Sequence, residues 1–347
     1  MLVFLILAGG SGTRFWPISK KDKPKQLLTI FSDKPLLCKT IDRIKDMVDI
    51  NRIFIATNIE LKNSIKELLP NILDSRIIVE PDKKDTCMAI AYSSLIISKY
   101  YENPTICVLP SDHLIENDKE LKKVINEAYE NSKDKIITIG IRPTRISTDY
   151  GYIKSYSSIN TITKVLEFKE KPDYATAKDY ISDGKYLWNS GMFIFQYVFL
   201  IEELKKYQED IFDVISELSK LDNFLDIFNR AKILFKDVEK ISIDYAILER
   251  TNKVYVIEAS FGWSDVGTYL YLEDVLDKDE NNNAIKNTNY IGIDSNDNII
   301  ISEIDTNINV NLLGVNNMII SVTKDNILIV NKEDINKMKE LTKKVEL

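Results

Sequence analysis

The chain holds one histidine, three cysteines, 11 glycines and 9 prolines in 347 residues. No apolar run approaches the roughly 20 residues a membrane-spanning helix needs. Cys38, Cys87 and Cys107 are odd in number, scattered, and without metal-ligand spacing, so they read as small core residues of a reducing compartment, the cytoplasm. His113 stands alone and is given no chemical role. Basic residues are outnumbered, 46 against 53 acidic, for a net charge of −7. That balance argues against a nucleic-acid binder, which needs an electropositive face, so any anionic ligand must rely on a local basic patch. The opening run Met1–Leu7 is apolar but short and has no basic flank, which suits a buried strand better than a signal peptide.

What the chain does contain is enough for one large core and a small accessory domain, with 44% hydrophobic and 29% charged residues. Continuous apolar runs at Leu2–Leu7, Arg52–Ala56, Arg76–Val79, Thr105–Leu109 and Lys135–Ile139 read as buried strands. Helical patterns at Pro35–Met47, Ile59–Leu69, Thr86–Tyr101 and Lys119–Ser132 separate them. This alternation predicts an α/β fold, a Rossmann-like, mixed but mostly parallel sheet covered on both faces. Ligands of such sheets bind beyond the carboxyl ends of the strands. From Gly151 onward paired strands and longer helical runs follow, with a further strand at Val254–Glu258. Beyond the Asn-Asn-Asn run at 281–283, short strands alternate with turns, and Lys332–Val345 reads as a closing helix. The expected domains are therefore 1–280 and a small C-terminal β domain, 284–347. The Asn-rich stretches read as turns and biased composition.

The strongest motif runs from Leu7-Ala8-Gly9-Gly10-Ser11-Gly12-Thr13-Arg14-Phe15-Trp16-Pro17 to Lys23-Pro24-Lys25. Three glycines after a strand expose backbone N–H groups, a standard cradle for phosphate oxygens. No Gly-Lys-Ser/Thr follows, so the loop is not a P-loop. Phe15 stands where a dinucleotide fingerprint has its third glycine, and Pro17 and Pro24 forbid the helix that fingerprint opens. Arg14, Lys20, Lys21, Lys23 and Lys25 concentrate positive charge in an acidic protein, which favours a polyphosphate site over a solvated turn. Four further stretches carry candidate groups, each with a structural rival. In Leu109-Pro110-Ser111-Asp112-His113, Asp112 either holds Mg²⁺ or caps a turn. In Glu167-Phe168-Lys169-Glu170-Lys171-Pro172, the charges either serve a sugar phosphate or form a solvated strand edge. Leu187-Trp188-Asn189-Ser190-Gly191 either makes a tight turn over core side chains or lines a pocket, with Asn189 reading a sugar hydroxyl. In Phe261-Gly262-Trp263-Ser264-Asp265, Asp265 is either a second Mg²⁺ carboxylate or a helix N-cap.

Taken together, the stretches LAGGSGTRFWPIS, KPKQLL, EPDKKDT, LPSDHLI, GYIK, FKEKPD, YLWNSGMF, SIDYAILE and FGWSDVGTY resemble the mannose-1-phosphate guanylyltransferases of the sugar nucleotidyltransferase superfamily. The likeness runs from residue 2 to about 270. The tryptophan of RFWP, with SIDYAILE and WSDVG, points to the mannose/guanosine branch; the glycine-rich signature is common to the superfamily.

The resemblance implies transfer of GMP from GTP to mannose 1-phosphate, with Mg²⁺ as cofactor. The nucleotide would meet Leu7, Ala8, Gly9, Gly10, Ser11, Gly12 and Thr13, together with Asp85, Pro110 and Ser111. Arg14 and Lys25 would steady charge on the reacting phosphates, and Lys171 would hold the sugar phosphate. Gly151, Glu170, Asn189 and Asp265 would meet the sugar, and Asp112 and Asp265 the metal. Lys84-Asp85-Thr86-Cys87-Met88 departs from the family's Arg-Asn-Thr-Ala-Pro, and Asp149-Tyr150-Gly151-Tyr152 from its Gly-Tyr-Gly-Tyr. Fused relatives carry an isomerase domain for which this chain is too short, so one activity is expected. A homodimer is compatible with exposed strand edges; no nucleic-acid or membrane partner is expected. Three rivals remain open: a pyrophosphorylase for another sugar or base, a non-catalytic nucleotide-sugar-binding regulator, and a glycosyltransferase.

Overall fold

The computed structural model describes residues 1–10, 13–156, 159–303 and 308–345. Its contacts divide the chain into two compact units. The first comprises Met1–Gly9, Ile41–Ser111 and Ile115–Trp263; the second comprises Gly10–Thr40, Asp112–Leu114 and Ser264–Leu347.

The first unit is built on one sheet of ten strands: β1 (Leu2–Leu7), β2 (Ile53–Thr57), β3 (Ile77–Val79), β4 (Thr105–Pro110), β5 (Ile136–Ile141), β6 (Tyr152–Lys154), β7 (Ile162–Lys164), β8 (Glu167–Lys169), β9 (Tyr186–Gln196) and β10 (Val254–Ala259). Their order is β3-β2-β1-β4-β9-β5-β10-β7, with β6 and then β8 added beside β9. The pairs β1–β2, β2–β3, β1–β4 and β5–β10 are parallel. The strands β1 to β4 are almost wholly buried, as expected of parallel strands covered on both faces. The helix Asp85–Ser98 is apolar all round, buried from Cys87 to Ile97, so it lies within the core and not on its surface. By contrast Asp118–Glu130 is amphipathic, and Asn117 caps it by accepting the backbone N–H of Glu120 at 3.1 Å.

Of the two alternatives for Leu187–Gly191 the tight turn is removed, because the stretch is part of the eleven-residue strand β9, antiparallel to both β4 and β5. The Asn-Ser-Gly tripeptide forms a bulge, with the register against β5 shifting between Asn189 and Phe193 and Gly191 at φ +70°. A glycine accepts that left-handed conformation without strain, and a bulge re-aims the side chains beside it. Asn189 is one of them.

The second unit has its own core, in which Phe15, Ile18, Leu28 and Phe31 pack with Val266, Tyr269, Ile299, Ile301, Ile319 and Leu328. The Tyr269 hydroxyl donates to the Phe15 carbonyl at 2.8 Å, and the Phe15 ring meets that of Phe31 edge to face. The expected boundary at 281–283 falls inside this unit, and Gly10–Thr40 joins it from the other end of the chain. Short strands at Ala284–Lys286, Ile299–Ser302 and Met318–Val322 stack in parallel, as do Asn289–Ile293 and Asn309–Leu313. The asparagines are more than turn formers. Asn283 and Asn298 are fully buried, and the Asn283 side-chain oxygen accepts from the Asn298 backbone and side-chain N–H groups at 2.9 and 3.0 Å. The Asn298 oxygen in turn accepts from the Met318 N–H at 2.9 Å, so a ladder of amides satisfies the polar backbone beside the stacked strands. The closing segment begins as a 3₁₀ turn, Lys332–Lys337, before the α-helix Met338–Val345.

Candidate active site

In the first unit the phosphate-loop residues begin where β1 ends. Leu7 lies in register with Ala56 of β2 and Pro110 of β4, and the Ser111 N–H donates to the Leu7 carbonyl at 3.2 Å. Ala8 is tied to β2 by its N–H to Ala56 and by its carbonyl accepting the Thr57 hydroxyl at 3.2 Å. Leu7, Ala8, Gly9, Pro110 and Ser111 are thus brought together at the carboxyl edge of the sheet, where α/β folds bind ligands. A methyl group on Gly9 would lie 3.4 Å from a carboxylate oxygen of Glu80, so the loop and the 80–86 segment meet there. Burial pushes the Glu80 carboxyl up to about 7, with Lys83 opposing and Asp85 adding to the shift. Asp85 opens its helix at φ +68°, an unusual conformation for a residue with a Cβ, and its carboxylate accepts the Thr86 N–H at 2.8 Å. Ser11 and Gly12 lie outside the described residues, as does the side chain of Thr13.

The second unit gathers the charged groups. Lys25 is buried, and its Nζ donates to Asp112 Oδ2 at 2.8 Å and to the backbone carbonyl of Asp265. Burial acts to raise the Asp112 pKa, but the Lys25 charge, His113 and the Lys25 hydrogen bond outweigh it and hold the carboxyl below its usual range. A methyl group on Gly267 would sit 3.2 Å from Asp265 Oδ2 and 3.4 Å from a guanidinium nitrogen of Arg14, so these two groups border the same glycine. Arg14, Lys25, Asp112 and Asp265 therefore form one cluster, assembled from three separated stretches of chain. The N-cap role for Asp265 is removed, because the next helical turn is Tyr269–Tyr271 with Thr268 at its N-cap. Instead Asp265 precedes Val266, which is buried at φ +45°. A β-branched residue there is strained, and such strain collects where a site demands a particular turn.

A third group lies in the first unit. A methyl on Gly151 would come 2.4 Å from Glu170 Oε2 and 3.3 Å from Asn189 Cβ, so these three expected sugar-side residues are neighbours. Glu170 is buried; its N–H donates to Glu249 Oε1 at 2.9 Å, and its carboxylate takes the Lys171 ammonium. Burial works to lower the Lys171 pKa, yet Glu170, Asp244 and Tyr245 together raise it, keeping the ammonium charged. The Asn189 side-chain oxygen accepts from the Thr138 hydroxyl at 3.0 Å and the Gly191 N–H at 3.2 Å, while its amide donates to Asp244 Oδ1 at 2.9 Å. Burial first, and then Glu170, push Asp244 up to about 7 against the pull of Lys171. Asp244 and Glu249, which join this group through hydrogen bonds, were not among the expected site residues, whereas Glu80 lies in the 80–86 segment expected near the base. Asp244 and Glu249 begin and end the D-Y-A-I-L-E of a stretch used only as a family marker. An acid opening a helical run carries no signal beyond capping.

A family model described as nucleotidyl transferase matches residues 3–282. The chain belongs to the nucleotidyl transferase family. It is 35% identical over 344 residues to the mannose-1-phosphate guanylyltransferase RfbM of Salmonella typhimurium, covering 97% of this chain and 71% of that protein. It is 31% identical over 352 residues to the alginate biosynthesis protein AlgA of Pseudomonas aeruginosa, covering 99% of this chain and 72% of that one. A crystal structure described as a mannose-1-phosphate geranyltransferase from Thermus thermophilus superimposes with a TM-score of 0.88 at 28% identity, covering 100% of this chain and 99% of that one. This nucleotidyl transferase carries all three residue groups inside the matched span. No helix among the described residues is long and apolar enough to cross a membrane.

Gly151 offers a sharp check of the third group. Alanine there must displace the Glu170 carboxylate, which Lys171 holds while Glu249 fixes the Glu170 backbone N–H. The KM for the sugar phosphate is expected to rise about tenfold while the KM for the nucleotide stays within about twofold. Equal changes in both constants would detach Gly151 from the sugar.

Proposed function

We propose that this nucleotidyl transferase converts GTP and α-D-mannose 1-phosphate into GDP-mannose and pyrophosphate. The observation that carries the reading is the Lys25 bridge between the Asp112 carboxylate and the Asp265 carbonyl, with Arg14 bordering the same turn. A sugar phosphate is already an anion, so its attack on the α-phosphorus needs no general base. Catalysis then reduces to alignment and charge neutralisation, which is what two cations and two carboxylates supply.

An oxygen of the sugar phosphate forms the new P–O bond in line as the bond to the leaving pyrophosphate breaks. Lys25 and Arg14 neutralise charge on the reacting α-phosphate and the departing oxygen. The Leu7–Gly10 backbone and the Pro110–Ser111 edge cradle the nucleotide, with Asp85 on the 80–86 segment. Lys171 takes the phosphate of the sugar, while Glu170, Asn189 and the Gly151 backbone take its hydroxyls.

Among the described residues no three potential ligands gather around one point. That fits Mg²⁺, which is commonly held by one or two carboxylates plus substrate phosphates. Asp112 and Asp265 are hard oxygen donors tied to one lysine, so these two would hold it. When bound, Mg²⁺ would neutralise phosphate charge as a Lewis acid. We place the reaction in the cytoplasm, consistent with the burial of Cys87 and Cys107 as small core residues. We also propose a homodimer, supported by exposed Ile291, Ile293 and Leu313 on the paired strands 289–293 and 309–313. Light scattering should return twice the 40.0 kDa chain mass.

The deciding experiment is a matrix of nucleoside triphosphates against sugar 1-phosphates, read by pyrophosphate release. GTP with mannose 1-phosphate is expected to exceed every other pair. A different preferred pair would move the enzyme to a sister specificity, and no pyrophosphate from any pair would leave a binding protein.

A further inference from the structure

The stretch Asp244–Leu248 is a π-helical turn, closed by the Glu249 N–H donating to the Asp244 carbonyl at 3.0 Å. Such turns are rare and gather at functional sites. Bonding from residue i to i+5 brings Asp244 and Glu249 toward the same side, whereas an α-helix aligns residues three or four apart. Both ends of the turn then reach the sugar-side group. Glu249 Oε1 accepts the Glu170 N–H at 2.9 Å, and Asp244 Oδ1 accepts the Asn189 amide at 2.9 Å.

The Asn189 amide has two acceptor sites and two donor hydrogens. Thr138 and Gly191 occupy its oxygen, and Asp244 occupies one N–H. With Asp244 in place the amide cannot flip without facing its oxygen to a carboxylate, and one N–H remains to be offered. The turn itself is anchored: the Ile243 N–H donates to the Thr86 hydroxyl at 2.9 Å, and the Cys87 N–H to the Ile241 carbonyl at 3.3 Å. Asp244 is therefore a fixed acceptor, not a mobile surface acid.

We propose that Asp244 is a positioning residue for sugar recognition, setting the side-chain amide of Asn189 so that it presents a donor to a hydroxyl of the sugar phosphate. This rests on the proposed reaction, whose own test is product formation by the wild-type enzyme. The test of Asp244 is different: how substitutions there divide between KM for each substrate and kcat.

Asp244→Ala should raise the KM for mannose 1-phosphate about tenfold, with the KM for GTP within about twofold. Asp244→Asn keeps an oxygen able to accept from Asn189 and should recover most of that loss. In an Asn189→Ala background, Asp244→Ala should add less than about twofold, because a residue acting through Asn189 has nothing left to position. If Asp244→Ala fails to fold, Asp244→Ser carries the same test, its hydroxyl being too short to reach the Asn189 amide. The proposal is overturned by an unchanged sugar KM, by equal losses for both substrates, by no recovery in Asp244→Asn, or by fully additive effects with Asn189→Ala. In each of those cases GDP-mannose formation by the wild type would still stand.

Discussion

Lys25→Ala is expected to lower turnover by on the order of 10² or more, the size of loss seen when one preorganised charge-stabilising donor is removed. Lys25 is buried and links Asp112 to the Asp265 turn. Its removal takes a cation from the reacting phosphates and also leaves the Asp112 carboxylate without its main partner. The second consequence has a sign that can be checked. Asp112 titrates below its ordinary range in the folded protein. It therefore contributes stability above the unfolded carboxylate pKa, near 3.9, which is lost as pH falls through the lower folded value. Lys25→Ala should reduce stability at neutral pH and much less at acid pH, where Asp112 is protonated in both proteins. Denaturant melts at the two pH values measure this alongside the kinetics. Near-normal turnover in a folded Lys25→Ala enzyme would remove Lys25 from the chemistry. Arg14→Ala should show a comparable loss of turnover.

Asp265→Asn should raise the Mg²⁺ concentration for half-maximal rate by about tenfold or more, with turnover at saturating metal also reduced. The amide preserves size and the adjoining backbone, so the turn through Val266 and the carbonyl that accepts from Lys25 both survive. What changes is one hard anionic oxygen donor. Asp112→Asn should act in the same direction and in addition leave the Lys25 ammonium without its carboxylate. An unchanged Mg²⁺ titration in Asp265→Asn would return Asp265 to a purely structural part in shaping the Val266 turn. The comparison with Asp112→Asn separates loss of a ligand from loss of an ion pair, because Asp112 accepts from Lys25 through its side chain and Asp265 through its backbone carbonyl.

Most of the candidate groups lie next to a local signal in the sequence: a glycine run after a strand, a carboxylate after a strand, a charged strand end. Glu170, Asn189 and Gly151 were legible in that way, and the structure makes them neighbours. Asp244 and Glu249 were not. Their placement arises from what faces them, the side chain of Asn189 for the first and the backbone of Glu170 for the second. Asn-Ser-Gly left a tight turn open as one alternative because it is turn chemistry in either setting, and pairing with both neighbouring strands identifies it as a bulge in β9.

The strand–helix alternation and the likeness to mannose-1-phosphate guanylyltransferases are legible in the sequence alone, as is the expectation that the Leu7–Lys25 loop meets phosphate. Each depends on residues close together in the chain, where periodicity and spacing carry physical meaning. Tertiary structure decided that Gly10–Thr40 shares a core with Ser264–Leu347, that Lys25 joins Asp112 to Asp265, and that a π turn holds Asn189. Those contacts join residues 55 to 240 positions apart, and burial, not local propensity, selects among such pairings.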